Sequence, residues 1–299
     1  MLDIVILTDH RYVKPKKVDW YTQQVLDEDR LLQTALENKG LTVCKKDWAD
    51  KNFDWTSTKY AIFRTTWDYF ERFDEFFLWL EDTKKKTTFI NSSEIINWNI
   101  DKHYLQDLSK NKVNIAPTQF VEKGDRITLA QLFEKANWKE AVLKPAISGA
   151  ARHTYRIHPN NCSEFETVFQ KLIENESMLF QEFLNNIIIQ GEIPLILIGG
   201  KHTHAVKKIA KKGDFRVQDD HGGRVEKYTP TKEEILFAEN CLIASPFEPK
   251  YARVDIVYDN NNKPSLSELE LIEPELWFRN YPLAAEKLAE EISNLIISK

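Results

Sequence analysis

The feature that most constrains the fold is the alternation of strand and helix over the first ~90 residues. Residues 2–7 predict a buried first strand, and "DWYTQQVLDEDRLLQTALENKG" predicts a helix that stops near Gly40. Two strand-like segments ("LTVCKKDW", "YAIFRTTWDYF"), a helix with an aromatic face ("FDEFFLWLEDTKKK") and a third strand ("TTFIN") follow. This order predicts a parallel α/β domain whose ligands lie at the carboxyl ends of the strands.

The pattern changes after a helix ("NSSEIINWNIDKHYLQDLSKNK") and a proline-bearing linker. From Thr118 on, short strands ("AVLKPA", "TYRIH", "MLFQEFL", "IPLILIGGKHTHAVKKIA") alternate with the helices "TLAQLFEKA" and "CSEFETVFQKLIENE". The segment "YPLAAEKLAEEISNLIIS" predicts an amphipathic closing helix. The second part is therefore expected to be α+β, and a length of 299 residues suits two or three packed units.

Composition excludes several classes of protein. Hydrophobic residues make up 42% and charged residues 29% of the chain, as in ordinary globular domains. A net charge of -5 gives no electrostatic reason to expect a nucleic-acid or membrane partner, and no apolar stretch reaches the roughly 18–20 residues of a membrane span. Three widely spaced cysteines indicate a reducing compartment, so we expect a cytoplasmic location, with a homodimer as the default assembly.

Three carboxylates share one face of a predicted hairpin, "RVDIVYDNNNKPSLSELELIEPEL". Strand alternation places Asp255 beside Arg253 on one strand, and Glu268 beside Glu270 on the other. One interpretation is a half-solvated edge hairpin with an acidic outer face. Like charges on adjacent strands repel, however, and a hard divalent cation such as Mg²⁺ relieves that repulsion.

Phosphate-binding groups occur earlier in the chain. Lys144 ends a short strand, and Ser148 with Gly149 begins a loop of small residues whose N–H groups could close over phosphate. A second candidate is the "QEFL" segment, Gln181, Glu182, Phe183 and Leu184, whose backbone could meet an adenine edge, with Glu192 available for ribose hydroxyls. Taken singly, each feature is also typical of an ordinary strand end.

Further candidates are spread along the chain. One excursion concentrates basic and polar residues, namely Lys207, Arg216, Gln218, Gly222 and Gly223. Lys102 lies on a predicted helix or its approach. Arg64 and Trp67 end a strand of the first domain and are candidates for a substrate carboxylate; the alternative is an arginine paired with a nearby Asp beside a core tryptophan. His202 and His204 are weak evidence for zinc.

The joint order of these parts resembles the ATP-grasp superfamily. The stretches that resemble it are "RTTWDY", "NSSEIINWNIDKHYL", "KPAISGAARHTYR", "QEFL", "GDFRVQDDHGG", "YARVDIV" and "LSELELIEPEL". They are most similar to the glutathione-synthetase-like branch and, within it, to the cyclo-ligases that form D-cycloserine from O-ureido-D-serine. The sequence departs from glutathione synthetase at Glu270, where that enzyme has Asn.

The resemblance implies a fold and a set of roles. An N-terminal α/β substrate domain (1–99) would precede an α+β ATP-grasp domain, whose subdomains (100–184 and 185–299) enclose the nucleotide. Lys102, Lys144, Ser148 and Gly149 would bind the phosphates of ATP, residues 181–184 the adenine and Glu192 the ribose, and Lys207 would also contact the nucleotide. Asp255, Glu268 and Glu270 would hold two Mg²⁺ ions. Arg216 and Arg253 would stabilise the transferring group, and Arg64, Trp67, Gln218, Gly222 and Gly223 would face a small amino-acid-like substrate.

The implied activity is ATP-dependent ligation. A substrate carboxylate would be activated as an acyl phosphate and then attacked by an amine-type nucleophile, which can belong to the same molecule. Two alternatives stay open at this point: a small-molecule kinase that stops after phosphorylation, and a nucleotide-binding module without turnover.

Overall fold

The N-terminal part of the chain is a parallel α/β layer. The computed structural model describes residues 1–217 and 222–297. Its first sheet has the order β2-β1-β3-β4 and every pairing is parallel. The strands are β1 (Leu2–Thr8), β2 (Val43–Asp47), β3 (Thr58–Thr65) and β4 (Thr88–Ile90), and the helices are α1 (His10–Val13), α2 (Trp20–Asn38) and α3 (Phe73–Thr83). The predicted parallel α/β architecture is confirmed.

The segment after β4 forms two short helices where the sequence predicted one. Helices α4 (Ser93–Asn99) and α5 (Tyr104–Lys110) are separated by a turn, and Lys102 lies in that turn. The Lys102 amide donates to the Ala146 carbonyl at 3.0 Å, outside any helix. The break therefore fixes Lys102 against the strand that carries Lys144.

The second sheet is antiparallel, with the order β5-β8-β6-β7. Its strands are β5 (Thr118–Val121), β6 (Ala141–Pro145), β7 (Tyr155–Ile157) and β8 (Met178–Glu182), and α6 (Leu129–Ala136) and α7 (Cys162–Ile173) cover one face. Thr128 and Gln131 form a capping box at the start of α6, and Asn137 ends that helix with φ of 55°.

The third sheet is also antiparallel, with the order β11-β10-β9-β12-β13. Its strands are β9 (Ile193–Ile198), β10 (Lys201–Ile209), β11 (Arg224–Tyr228), β12 (Tyr251–Tyr258) and β13 (Pro264–Glu270); the helices are α8 (Asn186–Gln190), α9 (Lys232–Ala244) and α10 (Leu283–Ile297). Strand β11 and helix α9 were not predicted from the sequence, whereas α10 was. Apolar residues of α10 pack between α2 and this sheet.

Buried polar side chains hold the edge strand β13 in place. The Asn99 amide donates to the Leu269 carbonyl and accepts from the Leu271 N–H, both at 2.8 Å. The Tyr104 hydroxyl accepts from the Leu269 N–H at 2.9 Å. These contacts satisfy backbone groups that an edge strand leaves unpaired, so Glu268 and Glu270 are presented from a fixed backbone.

The three sheets lie within the three sequence ranges expected for domains, 1–99, 100–184 and 185–299. Those boundaries remain a prediction. Among residues 1–217 and 222–297, no helix combines the length and apolar character needed to cross a membrane.

Candidate active site

A cavity of about 550 Å³ lies where the three sheets meet. The short helix α1 that follows β1 and the loop that follows β3 form one side, through Arg11, Tyr12 and Trp67. Strands β6 and β8 form a second side, and the β12–β13 hairpin forms the floor. The loops at the carboxyl ends of the parallel strands thus line the cavity, as the α/β pattern predicts.

The hairpin brings carboxylates and cations together on its cavity face. In the antiparallel register, Asp255 lies opposite Glu268 and Arg253 lies opposite Glu270. Arg253 donates to Asp255 from Nε (2.8 Å, Oδ1) and Nη2 (2.7 Å, Oδ2), and it also donates to Glu270. Arg253 and Asp255 are only 6% and 2% exposed, so the solvated edge hairpin is excluded.

Lysines from three other segments supply charges that strand alternation did not reveal. Lys102 Nζ lies 3.2 Å from Glu268 Oε1, and Lys208 Nζ lies 3.8 Å from Asp255 Oδ2. Lys144 also lines the cavity. Each carboxylate of the hairpin therefore has a cationic neighbour.

Burial and these cations shift the pKa values of the acids in different directions. Burial raises the pKa of Glu270 to about 8, although Arg253 acts against that shift. Burial also acts to raise the pKa values of Asp255 and Glu268. The positive charge of Arg253 outweighs this effect at Asp255, and that of Lys102 outweighs it at Glu268, so both pKa values are lowered. Burial lowers the pKa of Lys144. Asp255 and Glu268 are thus the acids held in the ionised form.

The donor chemistry of this face fits Mg²⁺ that arrives with a phosphate. Within the described ranges, no three Cys, His, Asp or Glu side chains converge closely enough to hold a metal unaided. Mg²⁺ usually takes one or two carboxylates and completes its shell with water and substrate phosphate oxygens. Asp255, Glu268 and Glu270 present such oxygens to the cavity, with Lys102 and Lys144 alongside.

The loop after β6 is tied to the hairpin and packs closely against Phe70. Lys102 Nζ donates to the Ser148 carbonyl at 2.6 Å and ties the loop to the hairpin through Glu268. A Cβ at Gly149 would lie 2.6 Å from Phe70 Cε1, so only glycine fits without displacing that ring. Ser148 and Gly149 both line the cavity.

The "QEFL" segment ends β8 at the opposite side of the cavity. Gln181 donates to the Thr118 hydroxyl at 2.8 Å, and the Phe183 N–H donates to the Glu140 carbonyl at 3.0 Å. All four residues, Gln181, Glu182, Phe183 and Leu184, line the cavity, as does Glu192. The Glu192 carboxylate accepts from Lys208 Nζ at 3.1 Å.

The lysine of β10 that faces the cavity is Lys208 and not the predicted Lys207. Strand alternation on β10 places Lys208 on the cavity face, whereas Lys207 Nζ lies 5.6 Å from the centroid of the Tyr228 ring and does not line the cavity. Lys208 is buried between Glu192 and Asp255.

The prediction that Arg64 faces the substrate is also corrected. Arg64 is fully buried, does not line the cavity, and lies 3.6 Å from Glu28 Oε1. Its ion-pair partner is thus Glu28 and not the Asp of the alternative, and its three guanidinium nitrogens have no hydrogen-bond partner among the described residues. Trp67 does line the cavity, where its Nε1 donates to the Glu273 carbonyl at 3.0 Å.

The segment between β10 and β11 contributes fewer residues to the cavity lining than the sequence predicted. Arg216 lines the cavity and forms an ion pair with Asp214 at 2.8 Å. Gly222 and Gly223 belong to the described residues but do not line the cavity. Gln218 lies outside the described residues. Neither His202 nor His204 lines the cavity; His204 Nε2 donates to the Leu276 carbonyl at 2.8 Å.

Sequence reasoning missed several residues of the cavity wall: Arg11, Tyr12, Tyr21, Glu273, Glu275 and Trp277. Arg11 and Tyr12 follow the carboxyl end of β1, so the rule for parallel sheets could have identified them. No local pattern marks Trp277.

Comparisons with known proteins match both parts of the chain. Residues 4–91 match the family described as D-cycloserine synthetase DcsG, N-terminal domain. Residues 107–245 match the family described as prokaryotic glutathione synthetase, ATP-grasp domain. The cycloserine biosynthesis protein DcsG of Streptomyces lavendulae is 26% identical over 259 residues, which cover 82% of this chain and 86% of that protein.

Solved structures share the fold over nearly the whole length. The crystal structure of D-cycloserine synthetase DcsG superposes with a TM-score of 0.86 at 24% identity, covering 98% of this chain and 99% of the other. D-alanine–D-alanine ligase from Bacillus anthracis complexed with ATP gives a TM-score of 0.62 at 14% identity, covering 99% and 98%.

Proposed function

Because this chain is an ATP-grasp protein with a DcsG-type N-terminal domain, we propose that it is an ATP-dependent carbon–nitrogen ligase that activates a small carboxylate as an acyl phosphate. The observation that carries the proposal is the single cavity in which Lys102, Lys144 and the small-residue loop face the Asp255–Glu268 hairpin. Phosphate ligands, metal-type carboxylates and an arginine fork converge there, as phosphoryl transfer requires.

The nucleotide would lie along the second sheet. We assign Lys102, Lys144, Ser148 and Gly149 to the phosphates, residues 181–184 to the adenine and Glu192 to the ribose. Glu192 accepts a hydrogen bond from Lys208, so a ribose contact requires Glu192 to share that bond or release it. Lys208 replaces Lys207 as the basic residue of β10 that faces the nucleotide.

The hairpin residues would act on the transferring group. Asp255, Glu268 and Glu270 would hold Mg²⁺, in two sites under this proposal, and the metal would supply neutralisation of phosphate charge. The substrate carboxylate attacks the γ-phosphorus and ADP departs; the nucleophile then attacks the acyl carbon and phosphate departs. Arg253 has a planar fork suited to a phosphate or carboxylate, and its bonds to Asp255 fix the orientation of that fork. Arg216, at the rim, would assist charge stabilisation.

The substrate would enter from the N-terminal domain. Arg11, Tyr12, Tyr21 and Trp67 line that end of the cavity, and their mixture of rings and one guanidinium suits a small amino-acid-like molecule. The similarity to DcsG makes an intramolecular, ring-closing ligation the leading form of the reaction. A cytoplasmic location and a homodimer complete the proposal; the free thiols of Cys44, Cys162 and Cys241 support the location.

The experiment is a substrate panel with Mg·ATP. Amino acids, dipeptides and O-ureido-D-serine are tested for ADP release, with hydroxylamine present as a trap for acyl phosphate. Carboxylate-dependent ADP release together with a hydroxamate supports the ligase. A stable phosphorylated product without hydroxamate would instead establish the kinase.

The corrected lysine gives a paired prediction. Lys208→Met is expected to lower kcat/KM for ATP by about tenfold or more, because it removes a charged hydrogen bond to Glu192 and a cation beside Asp255. Lys207→Met is the matched control and is expected to stay within about twofold of wild type. The measurement is kcat/KM for ATP from steady-state kinetics with varied ATP. A larger loss in Lys207→Met than in Lys208→Met would assign the nucleotide contact to Lys207 instead.

A further inference from the structure

Trp277 forms part of the cavity wall behind the reacting centre. Its ring centroid lies 5.3 Å from Arg253 Cζ and 5.4 Å from Lys208 Nζ, and the residue is only 1% exposed. Cations within about 6 Å of an indole face are attracted by it, more strongly when water is excluded. One side chain therefore contacts two cations that face the hairpin carboxylates.

The backbone of Trp277 is strained. Its φ is 47°, in the left-handed region that glycine and asparagine tolerate and bulky residues rarely adopt. Its indole Nε1 is buried without a hydrogen-bond partner among the described residues, although buried indoles normally have one. The fold thus tolerates two unfavourable features at one residue, a combination that clusters at functional sites.

Contacts on both sides of Trp277 hold it in this conformation. The Leu276 N–H donates to buried Glu28 at 3.0 Å, and His204 donates to the Leu276 carbonyl at 2.8 Å. The Asn280 N–H donates to the Trp277 carbonyl at 2.8 Å. Arg64 forms an ion pair with Glu28, so this buried arginine supports the Leu276–Trp277 backbone through Glu28 without contacting the cavity.

We propose that Trp277 is a positioning residue that holds Arg253 and Lys208 in the orientation needed for transfer to the substrate carboxylate. This inference rests on the proposed ligase function. Trp277 itself has no role in proton or group transfer; it acts through the two cations that stack on it. The contacts of Glu28, Arg64 and His204 maintain the left-handed backbone that places its ring there.

The test compares two replacements in two backgrounds. Trp277→Leu is expected to lower kcat by about tenfold or more, whereas Trp277→Phe keeps an aromatic face and stays within a few-fold. In an Arg253→Lys background the Leu replacement is expected to cost much less, because residues that act through one another are not additive. Equal losses in both backgrounds, or wild-type kcat for Trp277→Leu, would overturn the inference.

A control and a second measurement separate this inference from the ligase proposal. Trp79→Leu removes another indole whose N–H is buried without a partner, but Trp79 packs among aromatic residues away from the cavity. It is expected to lower Tm and leave kcat unchanged. Without any turnover, NMR can follow exchange of the Arg253 Nε–H: Trp277→Leu should accelerate it and Trp79→Leu should not. Unchanged exchange in Trp277→Leu would contradict the inference even if the ligase proposal failed.

Discussion

Arg253→Lys is expected to lower kcat by about 10²- to 10³-fold while the dissociation constant for Mg·ATP changes little. Lysine keeps the positive charge between Asp255 and Glu270 but loses the planar fork that contacts both carboxylates. If that fork stabilises charge on the transferring group, the loss appears in the chemical step. Single-turnover kinetics of ADP formation, with ATP binding measured separately, distinguish the two effects.

The matched control for Arg253→Lys is Arg72→Lys. Arg72 also bridges two acids, Asp68 and Glu75, but it does not line the cavity. Its replacement should leave kcat within about twofold of wild type. Arg253→Ala is less informative, because it leaves buried Asp255 without its main counter-charge and destabilises the fold as well. Full turnover in Arg253→Lys would remove Arg253 from the catalytic group.

Glu268→Gln is expected to reduce turnover by about 10²-fold or more and to raise the Mg²⁺ concentration needed for half-maximal activity. Glutamine preserves the shape of the side chain but removes the negative charge that faces Asp255 across the hairpin and Lys102 at 3.2 Å. Loss of a metal ligand and loss of the Lys102 partner act in the same direction. The measurement is a Mg²⁺ titration at saturating ATP.

Glu239→Gln serves as the control for the charge change. Glu239 pairs with Lys201 on the outside of the third sheet and does not line the cavity. It should leave the Mg²⁺ titration unchanged. A Glu268→Gln variant with lowered kcat but an unaltered Mg²⁺ requirement would assign Glu268 to positioning Lys102 instead of binding metal.

Local sequence patterns were sufficient to predict which side chains share one face of the β12–β13 hairpin. Period-two alternation placed Asp255, Glu268 and Glu270 on one face, and the register sets Asp255 opposite Glu268. The rule that parallel sheets bind ligands at the carboxyl ends of their strands was misleading for Arg64, because β3 is covered on both faces and is buried from Tyr60 to Thr65. Arg64 therefore could not be distinguished by pattern from a ligand-facing residue.

Two other parts of the site depend on contacts between distant segments. Lys207 was a candidate because basic residues are concentrated in that segment, and only the packing of β10 against the rest of the site shows that Lys208 faces the cavity. The conformation of Trp277 depends on Glu28, 248 positions from the Leu276 amide that it binds. Contacts of that range leave no periodic signal in the sequence.

The most direct test of the central claim is the transfer of ¹⁸O from a labelled substrate carboxylate. An acyl phosphate forms when a carboxylate oxygen bonds to the γ-phosphorus, and that oxygen leaves with phosphate when the nucleophile attacks the acyl carbon. We expect one ¹⁸O atom in the inorganic phosphate released per turnover, measured by mass spectrometry or ³¹P NMR with a substrate that releases ADP. Phosphate free of label, formed alongside the ligated product, would contradict activation through an acyl phosphate.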